Sequence, residues 1–184
     1  MLEAGVDLFV IRGTVVSAEH VSQDHEPLNL KKFIYDLDVP VIVGGAANYT
    51  AALHLMRTGA AGVLVGFGGG AVSADGGMGD SGSFIKAFAL GADAVMLGSP
   101  LARAEEAPGK GMHWGAEARH QTLPRGFRTN VGTVGTLEDI MFGPSHNADG
   151  TTNYIGALRR AMATTGYVDL KSFQRCPVTV APTR

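Results

Sequence analysis

The segment from Gly62 to Gly77, GVLVGFGGGAVSADGG, constrains the fold more than any other part of this chain. It contains two apolar runs that look like buried strands, GVLVGF and AVSAD, and only a triple glycine separates them. Neighbouring parallel strands need a crossover of about a dozen residues or more. The two runs can therefore form at most an antiparallel hairpin. Either AVSAD pairs elsewhere, or the chain exchanges elements with a partner, or residues of a parent protein are missing here.

A strand pattern recurs along the first hundred residues. Each copy has a glycine, a pair of small or acidic residues, a β-rich apolar run and a loop that contains glycine. The runs lack polar alternation, which is typical of parallel strands covered on both faces. The copies are AGVDLFVIRGT (4–14), TGAAGVLVGFG (58–68) and LGADAVMLGSP (90–100), and VPVIVGG (39–45) is a fourth run.

Helical patterns alternate with these strands, at residues 28–37, 48–59 and 81–91. In the second of them Asn48 is a candidate N-cap and Gly59 a terminator. This alternation predicts βαβ units and a parallel sheet, in either a doubly wound layer or a (β/α)₈ barrel. The side chains expected to face the core are Ala51, Ala52, Leu55 and Met56 in one helix and Phe84, Ile85, Phe88 and Ala89 in the next.

The pattern stops near Pro108. The Gly-, His-, Arg- and Thr-rich sequence of residues 109–135 predicts a long irregular excursion. Loops of that length are usually functional or mobile. Further helices are expected at 137–142, 153–167 and 169–176, and PVTVAP is expected to form an edge strand or a tail.

Composition excludes several classes of function. A formal net charge of −2 argues against nucleic-acid binding, which requires a basic face. No apolar run approaches the ~18 residues of a membrane span. The only cysteine, Cys176, excludes an internal disulfide and a multi-cysteine metal site, and it is expected to be a small buried or surface thiol. A reducing cytoplasm fits this cysteine usage.

Two glycine-containing loops could bind an anion. SADGG (73–77) and LGSP (97–100) each follow a predicted strand, at the end where barrels of this kind place their sites. Gly76, Gly77 and Gly98 would let backbone N–H groups approach a phosphate without a Cβ in the way. Alternatively, these glycines only close tight turns.

Neighbouring residues extend this interpretation. Ser99 adds a hydroxyl donor, and the helix that begins near Ser81 would direct its N-terminus at the same anion. Asp75 would repel a phosphate but suits ribose hydroxyls, which donate to a carboxylate. An anion together with a diol indicates a nucleoside monophosphate.

Several motifs, in this order and spacing, resemble the C-terminal half of the IMP dehydrogenase / GMP reductase family, and the closest likeness is to its actinobacterial-type IMP dehydrogenase-related proteins. The resemblance implies a (β/α)₈ TIM barrel, usually a cytoplasmic homotetramer. It implies guanine nucleotide biosynthesis, in which IMP, NAD⁺ and water give XMP and NADH. The motifs are ADGG (74–77), GADAVMLGS (91–99), EAPG (106–109), PRGFR (124–128), VGTVGTLEDIMFGPSHNADG (131–150) and NYIGALRRAMATTGY (153–167).

The same resemblance assigns candidate site residues. Asp75 would contact the ribose of IMP, while Gly76, Gly77, Gly98 and Ser99 would surround the phosphate. The cofactor-side candidates are Arg12, Thr14 and Gly66, the carbonyls that match a potassium site are those of Gly68 and Gly70, and the flap cations that could act in catalysis are Arg125 and Arg128.

The chain also departs from the family pattern. The family's catalytic loop carries a cysteine nucleophile, and here neither that cysteine nor the crossover helix follows Gly70. The start of the chain also falls inside the family's barrel. We therefore expect a partial barrel that lacks the first strands and one crossover helix. Its expected parts are a barrel portion with the phosphate loops (1–108), a flap-like excursion (109–135), and C-terminal helices and a tail of the same domain (136–184).

Three functional hypotheses remain open. The first is an IMP dehydrogenase-family oxidoreductase whose shortened chain is inactive alone, because the nucleophile is absent. The second is a non-catalytic remnant that still binds a purine nucleotide. The third is a GMP reductase, which shares the barrel.

Overall fold

The computed structural model describes residues 5–12, 26, 28–46, 48–65, 78–114 and 128–179. The chain divides into two compact units, Met1–Phe67 and Gly68–Arg184. The glycine-rich join singled out in the sequence begins at the start of the second unit. Residues 66–77 lie outside the described part, so the pairing of AVSAD is not addressed by the structure.

The first unit contains a three-stranded parallel sheet in the order β1-β2-β3, with β1–β2 and β2–β3 as the hydrogen-bonded pairs. This confirms the predicted α/β class with a parallel sheet. Its elements are β1 (Phe9–Arg12), α1 (Leu30–Tyr35), β2 (Val41–Ala46), α2 (Tyr49–Met56) and β3 (Gly62–Val65).

Local signals explain where the helices of this unit begin and end. The side chain of Asn48 accepts a hydrogen bond from the Ala51 N–H at 2.8 Å, as an N-cap does. Asn29 caps α1 in the same way through the Lys32 N–H. After α2, Gly59 has φ +90°, a conformation that favours glycine. The predicted cap and terminator of α2 are therefore confirmed.

The core of the first unit forms between β2 and the two helices, where Val41, Val43 and Leu55 are almost fully buried. The outer strands are less covered than expected, because Val65 is 78% exposed and Val10 is 44% exposed. Met56 was also expected to face inward, and this is wrong: it is 62% exposed. It is the last residue of α2 and directly follows the buried Leu55.

The second unit is mainly helical and surrounds one core. Phe84 packs edge-to-face on Phe88 and on Tyr154, with ring centroids 5.1 and 5.4 Å apart, and Ile140 and Phe173 complete the centre. Its elements are α3 (Ser81–Ala89), α4 (Ser99–Ala102), β4 (Met112–Trp114), β5 (Arg128–Asn130), α5 (Leu137–Phe142), α6 (Tyr154–Thr165) and α7 (Leu170–Phe173).

Two expectations for this unit are wrong. The apolar run at 92–97 forms no strand, although Val95 and Leu97 still pack against the core. An apolar run becomes a strand only when a neighbour pairs with it, and none of the described strands does so. The excursion at 109–135 is not wholly irregular either, because β4 and β5 pair antiparallel within it. Residues 177–179 form neither helix nor strand.

Candidate functional site

Gly98 and Ser99, two of the predicted phosphate ligands, lie where α4 begins. Gly98 is the N-cap of this short helix and Ser99 is its first residue. The Gly98 carbonyl accepts from the Ala102 N–H at 3.0 Å, and the Ser99 carbonyl accepts from the Arg103 N–H at 3.2 Å. Both residues are half-buried, and Pro100 after them is buried. The turn is therefore held firmly from its C-terminal side.

Two further motifs meet beside this turn. The Val134 N–H donates to the Arg103 carbonyl at 3.0 Å, and the Glu105 N–H donates to the Gly135 carbonyl at 2.9 Å. The Glu106 carboxylate accepts from the Leu137 N–H at 2.9 Å, at the first turn of α5. The EAPG and VGTVGTLED segments, which are far apart in sequence, are thus joined next to α4.

Thr136 and Asp139 explain why α5 begins where it does. They form a capping box, in which each side chain accepts from the other residue's backbone N–H. The Asp139 carboxylate also accepts from the Thr136 hydroxyl at 2.7 Å, and this hydrogen bond, followed by the one from the Thr136 N–H, lowers the pKa of the carboxyl. The loop that contacts α4 is therefore fixed at both of its ends.

The base of the flap is tied to the same helix. The Gly111 N–H donates to the Ala102 carbonyl at 3.0 Å, and the Val131 N–H donates to the Gly111 carbonyl at 2.8 Å. A Cβ on Gly111 would lie 2.7 Å from the Gly132 carbonyl carbon, so only glycine allows this approach. The base of the β4–β5 ribbon is therefore attached at Ala102, the last residue of α4.

α3 begins at Ser81, as the sequence predicted, and Asp80 is its N-cap. The Asp80 carboxylate accepts from the Ser83 N–H at 2.8 Å. The Ser81 N–H donates to the Gly150 carbonyl at 2.8 Å. The Ser83 backbone N–H is the main cause that lowers the Asp80 pKa, so the carboxylate is ionised at neutral pH. An ionised carboxylate therefore lies at the first turn of α3, and the direction of this helix N-terminus toward a bound anion is still a prediction.

Sequence reasoning did not identify two buried polar atoms that belong to Tyr154 and Arg103. The side chain of Tyr154 is fully buried, and burial raises the pKa of its hydroxyl to about 12, with Asp80 and Asp149 acting in the same direction and Arg103 opposing them. Within the described ranges, the Tyr154 hydroxyl and the Nε of Arg103 have no hydrogen-bond partner. Tyrosine and arginine in helical patterns give no sequence signal for such an arrangement.

Cys176 is a free thiol at the edge of the core of the second unit. It is half-buried, packs against the core of the second unit, and its Sγ lies 3.8 Å from the Pro177 carbonyl oxygen. In the described part of the chain no group of three or more His, Cys, Asp and Glu side chains could hold a metal ion. The sequence left open whether this thiol is buried or at the surface, and the structure places it between the two.

For the remaining predicted site residues, the structure describes at most the backbone. Arg12 ends β1 and Arg128 begins β5, but only their backbones are described. Those outside the described ranges are Thr14, Gly66, Gly68, Gly70, Asp75, Gly76, Gly77 and Arg125. The convergence of residues 75–77 with 98–99 is therefore still a prediction. Over the same described ranges, no helix has the length and apolar character needed to cross a membrane.

The chain is similar to known proteins over nearly its whole length. The sequence model of the IMP dehydrogenase / GMP reductase domain matches residues 71–183. An uncharacterized oxidoreductase of Mycolicibacterium smegmatis is 45% identical over 221 residues, which cover 98% of this chain and 59% of that protein. The inosine-5'-monophosphate dehydrogenase of Thermoplasma acidophilum is 32% identical over 141 residues, covering 60% of this chain and 28% of the enzyme.

A solved structure has a similar fold. The IMP dehydrogenase/GMP reductase-like protein of Corynebacterium glutamicum superposes with a TM-score of 0.85 at 45% identity, covering 98% of this chain and 57% of that one. This chain thus spans well under two thirds of the length of these relatives.

The length of the alignment also reveals missing residues. The alignment to the M. smegmatis protein runs over 221 positions while this chain has 184 residues, so at least 37 of those positions have no counterpart here. The match to the domain model begins at Ala71, the first residue after the triple glycine. A gap inside the aligned region is thereby established, and its position at Gly70–Ser73 is still a prediction.

Proposed function

Because the chain belongs to the IMP dehydrogenase / GMP reductase family, we propose that its site binds a purine nucleoside monophosphate, IMP, and that the activity of its lineage is oxidation of IMP by NAD⁺ to XMP. Gly98 and Ser99 would contact the phosphate from the first turn of α4, together with Gly76 and Gly77. Asp75 would accept hydrogen bonds from the ribose hydroxyls. In this proposal the lineage belongs to guanine nucleotide biosynthesis in the cytoplasm, and the protein assembles as a homotetramer.

The observation that carries this proposal is the anchoring of the Gly98–Ser99 turn. This turn is held by backbone hydrogen bonds within α4, and α4 is joined both to the 134–137 segment and to the base of the flap. A phosphate site needs donors that are fixed before the ligand arrives, since ordering them on binding costs affinity. The segments that carry the family motifs supply that rigidity here.

The chain's own residues do not fit the complete reaction. Attack on C2 of IMP needs a thiolate, and the only thiol, Cys176, is packed against the core far along the chain from the predicted substrate loops. The NAD⁺ candidates Arg12, Thr14 and Gly66 and the potassium candidates Gly68 and Gly70 remain proposals, as do the flap cations Arg125 and Arg128. We therefore assign no hydride-transfer step to this chain.

A specific observation favours the second hypothesis, a nucleotide-binding chain without turnover. At least 37 aligned positions of a close relative are missing, and the family's cysteine loop is among the features not found in the sequence. We propose that this chain alone binds IMP and releases it unchanged. We also propose that the chain consists of a barrel portion (1–108), a flap (109–135) and a C-terminal part (136–184).

The test is an IMP titration of the purified chain, followed by addition of NAD⁺. A ligand at 100 times its Kd raises the free energy of unfolding by about 2.7 kcal/mol, which is easily measured as a shift in melting temperature. We expect this gain together with no NADH absorbance. A melting temperature that IMP leaves unchanged would contradict the nucleotide site. Formation of NADH would contradict the absence of turnover.

Asp75→Ala tests the ribose assignment. The variant should weaken binding of IMP while leaving the weaker binding of inorganic phosphate unchanged, because only IMP carries the diol. Asp38→Ala is the matched control, since it removes an exposed carboxylate from the first unit. Equal losses for both ligands would contradict the proposed role. Adding GMP with a reduced nicotinamide cofactor to the same sample tests the reductase alternative.

A further inference from the structure

A cleft of about 590 Å³ lies on the first unit, between α1 and the turn that ends α2. Lys31 and Lys32 of α1 and Arg57, Thr58 and Gly59 of the turn contribute to its wall. Its volume falls within the ~300–1,000 Å³ of typical small-molecule sites. None of the residues assigned to IMP, NAD⁺ or potassium lines it.

The wall of this cleft is preformed on the α2 side. Thr58 is buried, and its hydroxyl donates to the Leu55 carbonyl at 2.6 Å. The next residue, Gly59, turns the chain at positive φ, and a Cβ placed on it would touch Ile34 of α1 at 3.7 Å. The turn therefore packs directly on α1, and Arg57 projects from a fixed backbone.

The charged residues that line the cleft are all basic. Three cationic residues line it and no carboxylate does. Lys32 forms an ion pair with Asp36 one turn along α1. Lys31 and Arg57 have no ion-pair partner in the part of the chain that the structure describes. The whole chain has a formal charge of −2, so this cluster is not one part of a generally basic surface.

We propose that this cleft binds a small phosphate-bearing anion with two or more negative charges. The Arg57 guanidinium can donate two parallel hydrogen bonds to one phosphate group, and Lys31 adds a point charge from the neighbouring helix. A second phosphate would compete with Asp36 for Lys32. Since the lysine side chains are largely exposed, binding is weak and depends strongly on ionic strength.

The experiment is an amide-resolved NMR titration with inorganic pyrophosphate in about 20 mM salt, repeated in about 300 mM salt, where exposed charges are screened. We expect saturable shifts at the amides of Thr58 and Gly59, and loss of most of the affinity at the higher salt. Arg57→Gln should weaken binding by about fivefold, the upper end for one exposed charge pair. Arg160→Gln removes an exposed arginine from the second unit and should leave binding unchanged.

Several results of this titration would overturn the proposed anion site. Shifts that do not saturate, or equal weakening by both glutamine variants, would show general attraction to positive charge and overturn the proposal. Shifts confined to residues near Gly98 and Ser99 would also overturn it. An unchanged circular dichroism spectrum of Arg57→Gln ensures that lost binding is not lost folding. IMP binding is read at the second unit, so either proposal can fail without the other.

Discussion

Tyr154→Phe tests whether the buried hydroxyl of the second unit lacks a partner, as the structure indicates. The Tyr154 side chain is fully buried and its ring packs edge-to-face on Phe84. Its hydroxyl has no hydrogen-bond partner among the described residues. The substitution keeps the ring and removes only the oxygen. An unpaired buried polar group costs stability, so the variant should be as stable as the parent at neutral pH, or more stable by about 1 kcal/mol.

The same hydroxyl sets a pH dependence. Burial raises its pKa from an ordinary value of 10.0 to about 12 in the folded chain. Between these values the unfolded chain loses the proton while the folded chain keeps it, so stability falls as pH rises. Well below about pH 10 the hydroxyl is protonated in both the folded and the unfolded chain, so it adds no pH dependence there. At about pH 11 the loss reaches roughly 1.4 kcal/mol, and a complete two-unit shift corresponds to about 2.7 kcal/mol.

The assay is urea unfolding of both proteins from about pH 7 to about pH 11. Other groups also titrate in this range, so the quantity of interest is the difference in unfolding free energy between parent and Tyr154→Phe. This difference should grow in favour of the variant above about pH 10. Tyr35→Phe is the matched control, because Tyr35 is 89% exposed, and it should follow the parent at every pH.

Two results would refute this reasoning. A Tyr154→Phe variant that is less stable by more than about 1 kcal/mol at neutral pH would show that the hydroxyl makes a favourable hydrogen bond. Parent and variant curves that stay parallel through the alkaline range would show that the pKa of this hydroxyl is not raised by burial.

Two further substitutions test the structure. Gly44→Ala should destabilise the first unit by about 2 kcal/mol, because its Cβ would lie 2.7 Å from the Leu64 carbonyl oxygen across the β2–β3 pair; Gly62→Ala is the control for urea unfolding, with its nearest contact at 3.5 Å. Asp80→Ala should cost the second unit about 1 kcal/mol at neutral pH by removing the N-cap of α3. Since the Asp80 pKa is lowered in the folded chain, this cap contribution is lost as pH falls below 3.8, and the gap between parent and variant should close there.

The helices were predictable because their signals are local. Asn48 and Gly59 mark the ends of α2 within the sequence itself, and the spacing of Phe84 and Phe88 identifies the buried face of α3. The chain segment at 92–97 shows the opposite case. Its apolar run has strand character, but a strand also needs a neighbour with free hydrogen-bonding groups, and no local pattern reports whether that neighbour exists.

The candidate site, like the fold, could be predicted from the sequence only in part. The sequence placed Gly98 and Ser99 in a loop after a predicted strand, whereas in the structure they begin α4, a helix that the sequence analysis did not predict. The sequence could not show that Asp80 already satisfies the first turn of α3, because both Asp80 and Ser81 are good caps and only the backbone geometry chooses between them. The burial of the Tyr154 hydroxyl and of the Arg103 Nε without a hydrogen-bond partner among the described residues depends on tertiary packing and has no sequence signature.

The two units of this chain each have an apolar centre of their own: Val41, Val43 and Leu55 in one, and Phe84, Ile140 and Phe173 in the other. Each centre is built from side chains of its own unit, so a substitution that opens a cavity in one centre is expected to lower the stability of that unit first.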